Sequence, residues 1–283
     1  MDGMASTGGE ARAPALDLPE DGTTFGTFWD INYVGLWTLY VKEVRRFMKV
    51  VTQTVLAPVA TTLIFLAVFS LALGGASRTV GNLPYLTFLA PGLVMMSVIQ
   101  NAFSNTSSSI IIAKVQGNIV DYLMPPLSAG ELLFGVTMGG VTRGFLVATV
   151  VWLTMLPFAD VVPHHLWAVL YYVLAASLVL SLLGFLAALW AEKFDQMAAV
   201  TNFIITPLSF LSGTFYSIQA LPEAFHAVAL ANPFFYMIDG LRYGLTGHAD
   251  GSVAVGALYL LVVSAALWGL ALALLRRGYR LKA

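Results

Sequence analysis

The chain has 283 residues, of which 58% are hydrophobic and only 10% charged, with a formal net charge of −1. Soluble globular domains carry about 25% charged residues, so this composition cannot coat a water-facing surface; a mean hydropathy of +0.81 points to a membrane protein. Basic residues cluster only beside apolar runs, which gives no footing for nucleic acid, and the lack of cysteine excludes disulfides and thiolate metal sites.

The apolar residues fall in runs of about 20, long enough to cross roughly 30 Å of hydrocarbon as helices. The alternating ten-residue strands of a membrane barrel do not occur. The expected fold is all-α membrane: six transmembrane helices preceded by an interfacial amphipathic helix, with a re-entrant helical hairpin between spans five and six.

In chain order, residues 1–30 are rich in Gly, Ala, Pro, Thr and acidic residues and lack the apolar core of a signal peptide. They are expected to form a disordered cytoplasmic tail that is not cleaved. Residues 31–52 read as the interfacial helix. At about 100° per residue, Lys42, Arg45, Arg46 and Lys49 share one arc, and Leu36, Trp37, Tyr40, Val41, Val44, Phe47, Met48 and Val51 take the other side. A basic face opposite an aromatic-rich apolar face lies in the plane of the membrane surface.

Residues 53–283 make up the six-span domain. Its apolar segments run from about Thr54 to Leu73, Tyr85 to Ile111 (interrupted at Pro91-Gly92), Leu132 to Leu156, Leu166 to Trp190, Ala198 to Phe215 and Val253 to Leu275. With a cytoplasmic N-terminus, the inside segments hold eleven of the fourteen Lys and Arg, and the outside segments hold only Arg78 and Arg242. This bias places both termini in the cytoplasm.

Within the second span Ser97, Asn101, Ser104, Asn105 and Ser108 are spaced i, i+4, i+7, i+8 and i+11, one helical face. The fifth carries Asn202, Thr206, Ser209 and Gly213. Polar faces avoid lipid, and two roles fit them: interhelical hydrogen bonding, at about 0.6 kcal/mol per bond, or the lining of a translocation path. In the third span, Gly135-x-x-x-Gly139 and Gly140-x-x-x-Gly144 allow close helix packing. Arg143 lies among them, where an isolated cation costs roughly 3 kcal/mol, so it needs a partner. A structural clamp is the expected role.

From Ala113 to Glu131, Lys114, Gln116, Asn118 and Asp121 alternate helically with Val115, Ile119, Val120, Tyr122, Leu123 and Met124, until Pro125-Pro126 stops the pattern. A short amphipathic helix between two spans is a natural lever for a soluble partner. Between spans five and six, residues 216–244 form two apolar helical pieces meeting at Asn232-Pro233. They are too broken to span and too apolar for water, as in a re-entrant segment buried against protein. His164, His165, His226 and His248 fall in outside loops without metal-ligand spacing. No metal site is expected.

Phe210-Leu-Ser-Gly-Thr-Phe-Tyr-Ser, Leu221-Pro222 and Asn232-Pro-Phe-Phe-Tyr-Met-Ile-Asp-Gly-Leu-Arg-Tyr-Gly244 resemble the signature of ABC-2 type transporter permeases, in particular the short six-span bacterial ones. Lys42-Glu43-Val44-Arg45-Arg46-Phe47, Ala90-Pro91-Gly92-Leu93 and Asp121-x-x-x-Pro125-Pro126-Leu127-Ser128 extend the resemblance from about Leu36 to the C-terminus. It implies a non-enzymatic membrane subunit of the bacterial inner (plasma) membrane that exports an amphipathic glycan, lipid or drug-like compound. Such a subunit pairs with a second copy and binds two ABC ATP-binding subunits. No cofactor is bound by this chain; ATP and Mg belong to the partner.

The resemblance makes Ser97, Asn101, Ser104, Asn105, Ser108, Asn202, Thr206 and Ser209 the path. It gives Lys42, Glu43, Arg46, Lys114, Asn118, Asp121 and Tyr122 to ATPase coupling, and Leu221, Pro222, Asn232, Pro233 and Arg242 to the re-entrant segment. The chain has no G-x-x-x-x-G-K-[ST] phosphate loop of its own. A six-span secondary transporter driven by an ion gradient is the alternative, but it would normally need intramembrane carboxylates, and Glu131, Glu192 and Asp195 sit at span ends. A membrane enzyme ranks third.

The charge bias generates a topology test. In this cysteine-free chain, Leu281→Cys is expected to resist an impermeant thiol reagent in intact spheroplasts, and His164→Cys to be labelled. The reverse pattern would overturn the orientation.

Overall fold

The computed structural model describes residues 31–72, 79–80, 82–220, 222, 226 and 229–279. The expected disordered tail, 1–30, and Leu221 lie outside the described residues. The compact unit begins at Asn32.

Helix α1 (Tyr33–Met48) starts where Asn32 Oδ1 accepts the Gly35 N–H at 2.8 Å, a side-chain N-cap. Then come α2 (Val51–Ala72), a two-residue antiparallel pair β1 (Thr79–Val80) and β2 (Leu83–Pro84), and α3 (Tyr85–Val115). A single turn α4 (Val120–Leu123) leads to α5 (Ala129–Met155), whose Ser128–Glu131 capping box satisfies its first donors. Helix α6 (Leu166–Trp190) precedes α7 (Phe194–Val200), which runs through a π turn (Thr201–Ile205) into α8 (Thr206–Leu211). Last come α9 (Pro233–Thr246) and α10 (Val253–Arg276).

Five of these helices, α2, α3, α5, α6 and α10, are long and apolar enough to cross a membrane. The segment expected as the fifth of six spans is instead the composite of α7, the π turn and α8. Pro207 follows the π turn, which takes up the backbone distortion that a proline imposes on a helix. Two expectations are corrected. Pro91-Gly92 does not interrupt the second span, because α3 carries Pro91 within one 31-residue helix. The amphipathic helix expected from Ala113 is divided: Ala113–Val115 belong to α3, Gly117 at φ 74° ends it in the left-handed region, and only one turn of α4 remains.

Helix α3 is the axis of the fold, packed chiefly on α5 and α6. Within its apolar stretch 83% of residues are buried by protein, against 17% in α2 and 22% in α10. Mean hydropathy is 1.5 for α3, 2.2 for α2 and 2.4 for α10. Protein neighbours can accept hydroxyls and amides that lipid cannot. Both glycine pairs of α5 act as close-approach faces. A Cβ on Gly139 would fall 2.6 Å from the Glu43 Cβ of α1, and one on Gly140 2.6 Å from the Thr106 hydroxyl of α3.

Helix α9 has 14 residues, about 21 Å at 1.5 Å each, too short to span. Phe234 to Arg242 is buried without a break. Tyr172 of α6 is fully buried, lies where a Gly240 Cβ would have to go, and donates to the Val253 carbonyl at 2.6 Å. Gly240→Ala should therefore overpack this contact and cost about 1–3 kcal/mol, read as a lowered thermal midpoint in detergent. Gly130→Ala, where a Cβ meets nothing within 4 Å, should leave the midpoint at or above that of the parent. An unchanged midpoint for Gly240→Ala would mean that the ring can move aside.

Candidate groove and the charged network beside it

Helix α1 lies across α5 and buries Leu39, Glu43 and Phe47, spaced i, i+4, i+8. The face division expected from the sequence put Arg46 on the water side, but the structure turns it inward. Its Nε and Nη2 donate to Glu43 Oε2, each at 3.2 Å, Nη1 donates to Ser108 Oγ at 3.0 Å, and Nη2 also reaches the Asn105 carbonyl at 2.6 Å. The reason is local: Glu43 stands one turn earlier, and α3 presents acceptors opposite.

Glu43 itself is fully buried. Its Oε1 accepts from Ser109 Oγ at 2.7 Å and from the Tyr122 hydroxyl of α4 at 2.9 Å. Burial, reinforced by the Glu43 carboxylate, pushes the Tyr122 phenol well above its ordinary pKa, so it stays a donor. Lys42 Nζ stands 3.7 Å over the Tyr122 ring. Four elements (α1, α3, α4 and, through Gly139, α5) thus meet at one carboxylate.

A groove of about 510 Å³ opens beside this network, framed by α2, α3, α5 and the end of α1. Ser97, Asn101, Ser104 and Ser108 line it, four of the five members of the α3 stripe. Asn105 is fully buried, its Oδ1 accepting from Arg46 at 3.1 Å. The α8 side is not part of this wall. Asn202 is exposed, Thr206 half-buried, and Ser209 buried with its hydroxyl donating to the Ile205 carbonyl at 2.7 Å. The structure therefore brings the α3 set together and leaves the other set apart within one chain.

Arg143 of α5 lines the groove and finds its partner in Asn101, whose Oδ1 accepts from Nε at 3.2 Å and Nη2 at 2.9 Å. Sequence reasoning missed the α2 wall, Gln53, Thr54, Thr61 and Thr62. Its signal was present: Gln53, Ala57 and Thr61 recur at i, i+4, i+8 in an otherwise apolar run. Thr62 and Ser97 hydroxyls lie 3.1 Å apart and join that wall to α3.

The residues assigned to coupling divide in two. Lys42, Asn118 and Asp121 are exposed. Glu43, Arg46 and Tyr122 are bound in the network, and Lys114 Nζ donates to the Ala188, Leu189 and Ala191 carbonyls at 3.1, 2.9 and 2.6 Å, which caps the end of α6. In the segment after α8, Pro222 is exposed. Asn232 accepts from the Phe234 N–H at 3.0 Å and donates to Ser212 Oγ at 2.8 Å, and Pro233 is the first residue of α9. Arg242 is fully buried; it lies 3.7 Å from Asp239, donates to the Gly213 carbonyl at 2.7 Å, and stacks 3.9 Å from the Phe88 ring centre.

The profile of the ABC-2 type transporter family matches residues 34–246. The inner membrane transport permease YadH of Escherichia coli (strain K12) is 34% identical over 252 residues, covering 89% of this chain and 98% of YadH. Nodulation protein J of Rhizobium leguminosarum bv. viciae is 25% identical over 254 residues, 87% of this chain and 92% of that protein. Nodulation protein J of Rhizobium meliloti (strain 1021) is 24% identical over 265 residues, covering 92% and 95%. With its apolar helices and a match that runs from α1 through α9, this chain belongs to the ABC-2 type transporter family and is a membrane transport permease.

Proposed function

We propose that this permease is the membrane subunit of an ATP-driven exporter in a bacterial inner membrane, carrying an amphipathic glycan, lipid or drug-like substrate. The observation that carries the reading is the groove itself: a wall of hydroxyls and amides, joined by apolar side chains, on the central helix of a transport permease. Two copies pair so that the α3 stripes and the faces carrying Asn202 of the π turn and Thr206 and Ser209 of α8 enclose one path. The composite of α7, the π turn and α8 serves as the fifth of six crossings, α1 lies in the membrane surface, and the segment ending in α9 folds back from the outer side to close the path. Both termini are cytoplasmic.

Two ABC ATP-binding subunits supply the energy, with ATP and Mg bound there and no cofactor in this chain. Each docks against the exposed Lys42, Asn118 and Asp121 beside α4. From there the Tyr122 hydroxyl, Glu43 and Arg46 form an unbroken run of hydrogen bonds to Ser108 on the groove wall.

Asp121 is exposed, so Asp121→Arg should leave insertion and the thermal midpoint unchanged. Reversing a docking charge should lower copurification of the ATPase by about tenfold and abolish transport. Unchanged copurification and transport would remove α4 from the coupling surface.

A further inference from the structure

Three arginines are drawn into the protein among the described helices, and they are neutralised differently. Arg46 is paired with Glu43, and Arg242 lies beside Asp239. Arg143, in the middle of the 27-residue α5, makes no ion pair among the described residues. Its Nε and Nη2 share one neutral oxygen, Asn101 Oδ1, and its Nη1 has no acceptor among the described residues. An amide orients a guanidinium but does not balance its charge.

The missing charge cannot come from the groove, which no Asp or Glu lines. Nor can the five long helices of a second copy bring one: α2, α3, α6 and α10 contain no acidic residue, and α5 has only Glu131, in its first turn. Around Arg143 the wall changes character along its length. Thr62, Ser97, Gln100 and Ser104 offer neutral polar atoms, and Phe65, Leu93 and Met96 offer an apolar surface for a chain. A site with one unbalanced cation, neutral donors and an apolar flank is complementary to a ligand with an anionic head and an apolar tail.

We propose that the groove binds an anionic amphipath, with Arg143 as the counter-ion of its oxyanion headgroup. This rests on the permease reading and narrows its substrate class. Bidentate guanidinium recognition of a phosphate or carboxylate suits the free side of the fork.

Radiolabelled decyl phosphate and decyl maltoside are titrated against the full chain in phosphatidylcholine nanodiscs, with binding to empty nanodiscs subtracted and no ATPase present. Decyl phosphate is expected to bind saturably and at least about tenfold more tightly than decyl maltoside, and Arg143→Gln to bring that ratio close to one. Asn101→Asp gives Arg143 a carboxylate within the chain. It should remove the preference as well while preserving the fold, which covers the case in which Arg143→Gln does not fold. Inorganic phosphate at matching concentrations should not displace decyl phosphate, because it lacks the tail. Equal affinity of the parent chain for both decyl probes, an undiminished preference in either folded variant, or displacement by inorganic phosphate overturns the assignment. Because the measurement involves neither transport nor ATPase docking, its failure and that of the permease reading are separate results.

Discussion

A polar helix face cannot be left against hydrocarbon, and in this protein the polar face belongs to α3. Its hydroxyls are satisfied partly by their own helix, as where Ser97 donates to the Leu93 carbonyl at 3.1 Å and Ser108 to the Asn105 carbonyl at 3.0 Å. Its amides receive guanidiniums from α1 and α5. This requirement places α3 at the centre, with α5 and α6 close on two sides through Gly140, Gly144 and Gly184. The helices left outside are α2 and α10, with only 17% and 22% of their apolar stretches buried by protein.

Charge is handled by the same logic. Burying Arg46 and Glu43 together avoids an uncompensated ion, and removing one partner of such a buried pair costs about 3–5 kcal/mol. The pair therefore holds α1 in a defined register on α3 and α5. Arg242 does the same on the other side of the bundle, where its guanidinium ties α9 to the Phe88 ring of α3 and to the Gly213 carbonyl after α8. These two knots set the positions of α1 and α9.

The two knots differ in their surroundings. The knot at Glu43 lies between an exposed turn, α4, and the groove, joined by hydrogen bonds from the Tyr122 hydroxyl through Glu43 and Arg46 to Ser108. The knot at Arg242 immobilises α9 against the spans, and Asp239 holds the following loop by accepting from the Asp250 and Gly251 N–H groups at 2.8 and 2.9 Å. One end of the molecule is tied through a network that includes an exposed turn; the other is tied wholly inside.

Much of this was legible in the sequence because hydrocarbon imposes a simple rule on composition. Runs of about 20 apolar residues gave α2, α3, α5, α6 and α10 to within a few residues, and the periodicity of Ser97, Asn101, Ser104 and Ser108 gave one wall of the groove. The Asn232-Pro233 junction marked the start of α9. What the sequence could not decide was which charges point inward. Arg46 belongs by periodicity to a basic face, and the buried Glu43 one turn earlier together with Asn105 and Ser108, 59 and 62 residues away along the chain, turns it into the protein. Arg143 needed a partner by energy alone, but its identity as Asn101 depends on how α5 crosses α3. Likewise the left-handed turn at Gly117 and the π turn before Pro207 are local backbone solutions that hydropathy does not register. Composition determines how much of a chain enters the bilayer; packing geometry determines which polar atoms meet there, because those meetings join residues far apart in sequence.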